Sequence, residues 1–141
     1  MTIKEIQNEI IDEFSMFDDW MQRYEYIIEL GKSLPLIKED YKTDENLIKG
    51  CQSKVWLQGE QQDDKIVFTA DSDAILTKGI IAILIRAFSN QKATDILNAD
   101  VDFIDEIGLK EHLSATRANG LVSMIKNIKM YALAFDAKNK N

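Results

Sequence analysis

The chain has 141 residues, of which 45% are hydrophobic and 29% charged, with a formal net charge of -7; that is the size of one soluble domain able to bury a substantial core. Such a charge repels phosphate backbones and anionic bilayers, so neither nucleic acid nor a membrane surface is expected as a partner. A single cysteine, Cys51, allows no internal disulfide, and one cysteine with one histidine, His112, cannot assemble a usual Cys/His zinc site.

The opening "MTIKEIQNEIIDEF" carries acidic residues and no uninterrupted apolar run, unlike a targeting segment. Thr2 followed by Glu5 forms a capping-box pattern, and Ile3, Ile6, Ile10 and Phe14 follow at helical spacing. A second helix is predicted from Asp18 and Asp19, with Trp20, Tyr24, Ile27 and Ile28 as its apolar stripe and Gly31 as its stop. Pro35 fixes the connection that follows.

From Lys54 the period changes. "KVWLQGEQQDDKIVFTAD" predicts two short strands joined through the polar "GEQQDD". "SDAILTKGIIAILIRAF" then predicts a helix that is apolar on nearly all sides, hence buried, with Asp71, Ser72 and Asp73 as candidate N-caps. Its longest apolar stretch, residues 80–85, is far short of the roughly 20 residues that cross a bilayer. "ATDILNADVDFIDEIGL" suggests two short helices separated between residues 98 and 100. Leu121, Met124, Ile125, Ile128, Ala132 and Phe135 mark a last helix, with a frayed tail expected from about residue 136. The predicted architecture is α+β, one domain over residues 1–141 with a small antiparallel sheet and several helices packed against it. A cytoplasmic location is expected.

Several chemistries have no residues to carry them. The chain has neither a G-x-x-x-x-G-K-[ST] loop nor a G-x-G-x-x-G turn for nucleotide phosphates, and no G-x-S-x-G elbow. His112, in "LKEHLSATR", reads as a surface or satisfied histidine rather than a general base, so an independent thiol hydrolase is disfavoured.

Cys51 remains, in "IKGCQSKVWL". A lone cysteine is commonly a small buried hydrophobe. Here its neighbours are polar: Gly50 frees the backbone for a tight presenting loop, and Lys49 and Lys54 bring positive charge that would favour the thiolate. A loop cysteine before a strand is therefore a candidate nucleophile.

"GCQSKVWL" resembles the signature of the SufE family, sulfur-acceptor proteins of iron–sulfur cluster assembly. "MQRYEYIIELGKSLP", "ADSDAILTKGIIAILI" and "GLKEHLSATRANGLVSMI" resemble further blocks of that family in the same order, together covering most of residues 20–130. "NQKATDIL" departs from the family pattern in lacking a proline before its short helix. The resemblance implies a SufE/IscU-like fold in which Cys51 accepts sulfane sulfur as a persulfide. The donor would be a pyridoxal-phosphate-dependent cysteine desulfurase (SufS- or CsdA-like), which the protein would stimulate. A cluster scaffold or other acceptor would receive the sulfur. The cofactor belongs to the donor, and none is expected in this chain, nor the metal-binding cysteines of the scaffolds. In supporting roles, Gly50 would be a hinge, Gln52 and Ser53 would shape the loop, and Asp73 would be an N-cap close to the cysteine loop. Arg117 would stabilise the thiolate or dock on the donor, and Asn119 and Gly120 would cap or close-pack the last helix. The alternative is an allosteric binding partner of a desulfurase in which Cys51 is structural.

Overall fold

The computed structural model describes residues 1–140. Helices α1 (Ile3–Ser15) and α2 (Trp20–Gly31) lead through two short 3-10 turns to strands β1 (Val55–Gln62) and β2 (Lys65–Ser72). The buried helix α3 (Ile75–Phe88) follows, then β3 (Gln91–Lys92), the short helices α4 (Ala93–Asn98), α5 (Asp102–Glu106) and α6 (Leu109–His112), and the long α7 (Ala115–Asn139). The sheet is antiparallel in the order β1-β2-β3, so the α+β architecture is as predicted.

Local sequence sets most boundaries. Thr2 and Glu5 close a reciprocal capping box on α1, and the Asp19 carboxylate accepts from the Gln22 N–H at 2.8 Å to start α2. Gly31 does not stop α2 through a left-handed turn. It is the last helical residue, and a Cβ there would stand 3.0 Å from the backbone nitrogen of Gly79 on α3. Gly79 in turn has no room for a Cβ, which would collide with the Ile27 carbonyl. The two glycines let α2 and α3 touch backbone to backbone.

The polar "GEQQ" lies inside β1 rather than in the connection. Gln62 pairs with Lys65, leaving Asp63 and Asp64 as the whole turn, with Asp63 at φ 58°. Strand pairing with β2 overrides the weak propensity of those side chains, which are half-buried or exposed. Val55, Leu57, Ile66, Phe68 and Ala70 alternate onto the inner face and meet α3, most of whose side chains are buried. α7 crosses β1 at Gly59, where the Tyr131 ring takes the space of the missing side chain and its hydroxyl donates to the Leu57 carbonyl at 3.2 Å. α7 continues to Asn139, so the segment from 136 is helical and not frayed. Gln61 and Lys140 hold this end through Asn139 (3.1 Å) and Asp136 (3.1 Å).

Two polar staples join the helices. The Arg86 guanidinium of α3 donates to Glu13 and Glu9 of α1 (2.7 Å to Glu13 Oε1, 2.9 Å to Glu9), and Tyr26 of α2 donates to the same Glu13. The Arg86 side chain holds the Glu13 carboxyl below the usual carboxylate range, and Glu13 holds Arg86 firmly charged. The Lys129 ammonium of α7 caps the end of α4, donating to the carbonyls of Ile96 (2.8 Å) and Ala99 (2.5 Å), the favourable end of a helix for a cation.

Breaking the first staple tests its weight. Arg86→Met is expected to lower unfolding free energy by about 2 kcal/mol in urea at neutral pH, because Glu13 is left half-buried without its cation. Glu13 has a depressed folded pKa, so its contribution is full above the unfolded value of about 4.3 and disappears as pH falls through the folded one. The gap between wild type and variant therefore narrows in acid.

Candidate functional site

Cys51 sits in a loop pinned at both ends. The Ile48 N–H donates to the Val55 carbonyl at 2.8 Å, closing the loop where β1 begins, and Leu47 bridges to Trp56. Beyond the thiol, Lys54 is held by the start of the α3 segment. Its N–H donates to the Asp73 carboxylate at 3.0 Å, and its carbonyl accepts from the Ser72 hydroxyl at 2.8 Å and the Asp73 N–H at 3.2 Å. Asp73 thus latches the loop and does not cap α3, whose N-cap is Ala74 with no side-chain bond. Asp71 is also diverted from capping, to ion pairs with Lys42 (2.6 Å) and Lys78 (3.4 Å).

Between the pins, Gly50 adopts φ +91°, a conformation side chains rarely take, and a Cβ there would approach Ser123 Oγ on α7 to 2.7 Å. The next residue turns its thiol toward α7. Cys51 Sγ lies 3.7 Å from the Gly120 carbonyl, in donor geometry, and a Cβ on Gly120 would stand only 3.3 Å from the sulfur. Gln52, Ser53, Thr77, Ile80, Arg117 and Met124 complete the recess. Its free space is about 10 Å³, the room of roughly one water molecule.

The recess keeps the thiol neutral. Burial pushes the Cys51 pKa up, and neither Lys49 nor Lys54 offsets it, contrary to the expectation that their charge favours the thiolate. A raised folded pKa favours folding below the unfolded thiol value of about 8.5, and this contribution fades as pH rises through the folded value.

Of the predicted site residues, Gly50, Gln52, Ser53 and Arg117 gather around Cys51. Gln52 and Ser53 line the recess, while the bonds that shape the loop come from Ser72 and Asp73. Arg117 is exposed at the recess edge in the first turn of α7, and its N–H donates to the capping Ser114 hydroxyl at 3.3 Å. Neither Asn119 nor Gly120 caps α7. Asn119 is exposed within the helix, and Gly120 close-packs against the cysteine. His112 stacks on Trp20 (centroids 4.2 Å apart) and does not line the recess. Sequence reasoning misses Ser123, Thr77 and Met124 as loop seat and walls. Among the described residues, no group of three or more His, Cys, Asp or Glu side chains is placed to hold a metal, and no helix is long and apolar enough to cross a membrane.

Residues 8–132 match the family described as "SufE: Fe-S metabolism associated domain". The chain belongs to the SufE family. It is 45% identical over 130 residues to an uncharacterized SufE-like protein of Rhizobium meliloti, covering 89% of this chain and 93% of that one. A SufE-like protein of Synechocystis is 35% identical, covering 89% and 79%. SufE-like protein 1 of Arabidopsis thaliana, chloroplastic/mitochondrial, is 35% identical over 94% of this chain but only 36% of its own length. The solution structure of a hypothetical protein from Thermus thermophilus shares the fold, with a TM-score of 0.76 at 14% identity over 92% and 94% of the two chains. SufE membership places the protein in iron–sulfur metabolism.

The guarded thiol has a measurable signature. Iodoacetamide is expected to modify Cys51 several-fold more slowly than a free cysteine at pH 7, with a rate that keeps climbing above pH 8.5 because the folded pKa is raised. Asp73→Ala removes the latch on Lys54 and is expected to speed that reaction at unchanged pH. An unaltered rate in Asp73→Ala would show that the carboxylate does not restrain the loop.

Proposed function

We propose that this SufE-family protein is a sulfur carrier, with Cys51 as its acceptor. The thiolate of Cys51 attacks the outer sulfur of a persulfide held by a pyridoxal-phosphate-dependent cysteine desulfurase. The donor's S–S bond breaks, the donor thiolate leaves, and a Cys51 persulfide forms with no net oxidation. The same exchange in reverse sense hands the sulfur to a cluster scaffold or another acceptor, regenerating the Cys51 thiol. The protein stimulates the desulfurase by relieving it of product, and it is an accessory rather than an independent enzyme.

The observation that carries this reading is the loop itself: a lone thiol at the tip of a chain segment pinned at Ile48 and Lys54, with a left-handed glycine immediately before it. A purely structural cysteine needs neither the glycine nor the latch. Thiol protonation in the resting recess fits a group that is activated on docking, when contacts with the partner favour the extended loop over the seated one. Gly50 supplies the pivot. Arg117, at the recess edge, would meet either the emerging thiolate or the donor's surface.

One observation favours the alternative, in which the protein regulates a desulfurase without carrying sulfur: Cys51 is half-buried, and burial alone governs its pKa. Cys51→Ser separates the two. Sulfide release by a purified SufS-type desulfurase is expected to be stimulated by wild type and to return to its basal rate with Cys51→Ser, while binding persists. Stimulation retained by Cys51→Ser would transfer the assignment to the regulatory module.

A further inference from the structure

The helix α7 is apolar on two faces. Leu121, Met124, Ile128 and Ala132 form its buried stripe. A second stripe, Asn119, Val122, Lys126, Met130, Leu133 and Ala137, follows the same three- and four-residue spacing on the opposite side and is exposed along its whole length. Val122, Met130 and Leu133 are 51%, 58% and 59% exposed. Other exposed aliphatic residues, such as Met21, Leu36 and Ile75, stand on separate elements. On α7 they form a line.

We infer that this outer face of α7 is the docking surface for the persulfide-bearing donor of Cys51, a protein that presents an apolar ridge or groove bearing carboxylates. The inference rests on the carrier reading for the identity of that partner. Two features select it. The first is continuity: Asn119 lies beside Gly120, which seats the thiol, and within a turn of Arg117 at the recess edge. A recess with room for roughly one water cannot itself hold a partner, and a standard interface takes about 800 Å² from each side. The stripe, about 27 Å long by helix rise and about 10 Å wide, offers roughly a third of that area and begins one residue from Gly120.

The second feature is charge. In a chain of net charge -7, Ala115–Asn139 carries Arg117, Lys126, Lys129 and Lys138 against Asp136 alone. Lys126 is the one charged residue between Asn119 and Ala137 on the stripe, and it makes no ion pair among the described residues. It is an unanswered cation in the middle of an apolar line, a place for a partner carboxylate. A two-fold pairing of α7 with itself about the stripe's middle, near Ile128, would set Lys126 against Met130 and leave the lysine without a carboxylate.

The test measures binding and loading separately, using a purified SufS-type cysteine desulfurase immobilised for interferometry and free for intact-mass loading. Met130→Glu and Leu133→Glu, both at exposed positions, are expected to raise Kd at least tenfold. The carrier concentration for half-maximal loading rises with it, while the final extent of loading at saturation is unchanged. Lys126→Glu is expected to act in the same direction and Lys126→Arg to restore wild-type affinity, with added salt weakening wild type. Equal Kd values for wild type and all variants, or no binding by wild type, would overturn the inference. So would a wild-type dimer in sedimentation that Met130→Glu dissociates, or binding to phosphatidylglycerol vesicles that the variants abolish. Wild type that binds through this face yet gains no sulfur would refute the carrier reading and leave the surface standing.

Discussion

The close approach of the Gly50–Cys51 turn to α7 is the constraint around which this structure is arranged. The sulfur can sit beside the Gly120 carbonyl because Gly120 has no Cβ, and Gly50 can pass Ser123 for the same reason. Contacts this close require α7 to be held to within a few tenths of an ångström. Three features do so. Tyr131 fills the notch at Gly59, Lys129 is tied to the end of α4, and the buried stripe of α7 joins the common core over α3. The paired glycines Gly31 and Gly79 fix α3 in turn, by letting α2 lie directly on its backbone.

At its far end the loop is restrained by polar groups, whereas its near end is anchored by the buried Ile48. The far end hangs on one carboxylate, one hydroxyl and one backbone N–H, supplied by Asp73 and Ser72 just before α3. A net hydrogen bond in water is worth about 1 kcal/mol, so on the proposed reading contacts with a partner need outweigh only a few such bonds to favour an extended loop over the seated one. Burial supplies the complementary safeguard, since a neutral thiol is a poor nucleophile and a poor target for oxidants. On the proposed reading, the protein therefore stores its acceptor in an unreactive state. Reactivity arrives with the partner, without a resident base, which agrees with His112 being engaged with Trp20.

Much of this is legible in the sequence, and the remainder is hidden for identifiable reasons. Capping of α1 and α2, the hairpin, the buried character of α3 and the inner stripe of α7 follow from side-chain period and local hydrogen bonding, which neighbouring residues determine. Cys51 and Gly50 stand out because a thiol next to glycine and lysines is unlike a core cysteine. The role of Asp73 is hidden because a capping residue and a latch look identical in sequence; only the return of Lys54 to the strand end decides between them. The lysines beside Cys51 suggest an effect that depends on distance and solvent, while the dominant influence, burial under α7, comes from residues almost 70 positions away. Gly120 does carry a signal: a glycine inside a long helical stripe usually marks a close approach. The polar end of β1 and the helical tail of α7 escape sequence reading because tertiary pairing overrides their weak propensities.

On the proposed reading, Cys51 takes up a sulfur atom. Intact-protein mass spectrometry after incubation with a cysteine desulfurase, pyridoxal phosphate and cysteine, without reductant, addresses it most directly. The expected result is a mass increase of one sulfur atom, located at Cys51 by peptide mapping and removed by subsequent reduction. An unchanged mass for a protein that binds the desulfurase would contradict it and leave Cys51 as a packing residue.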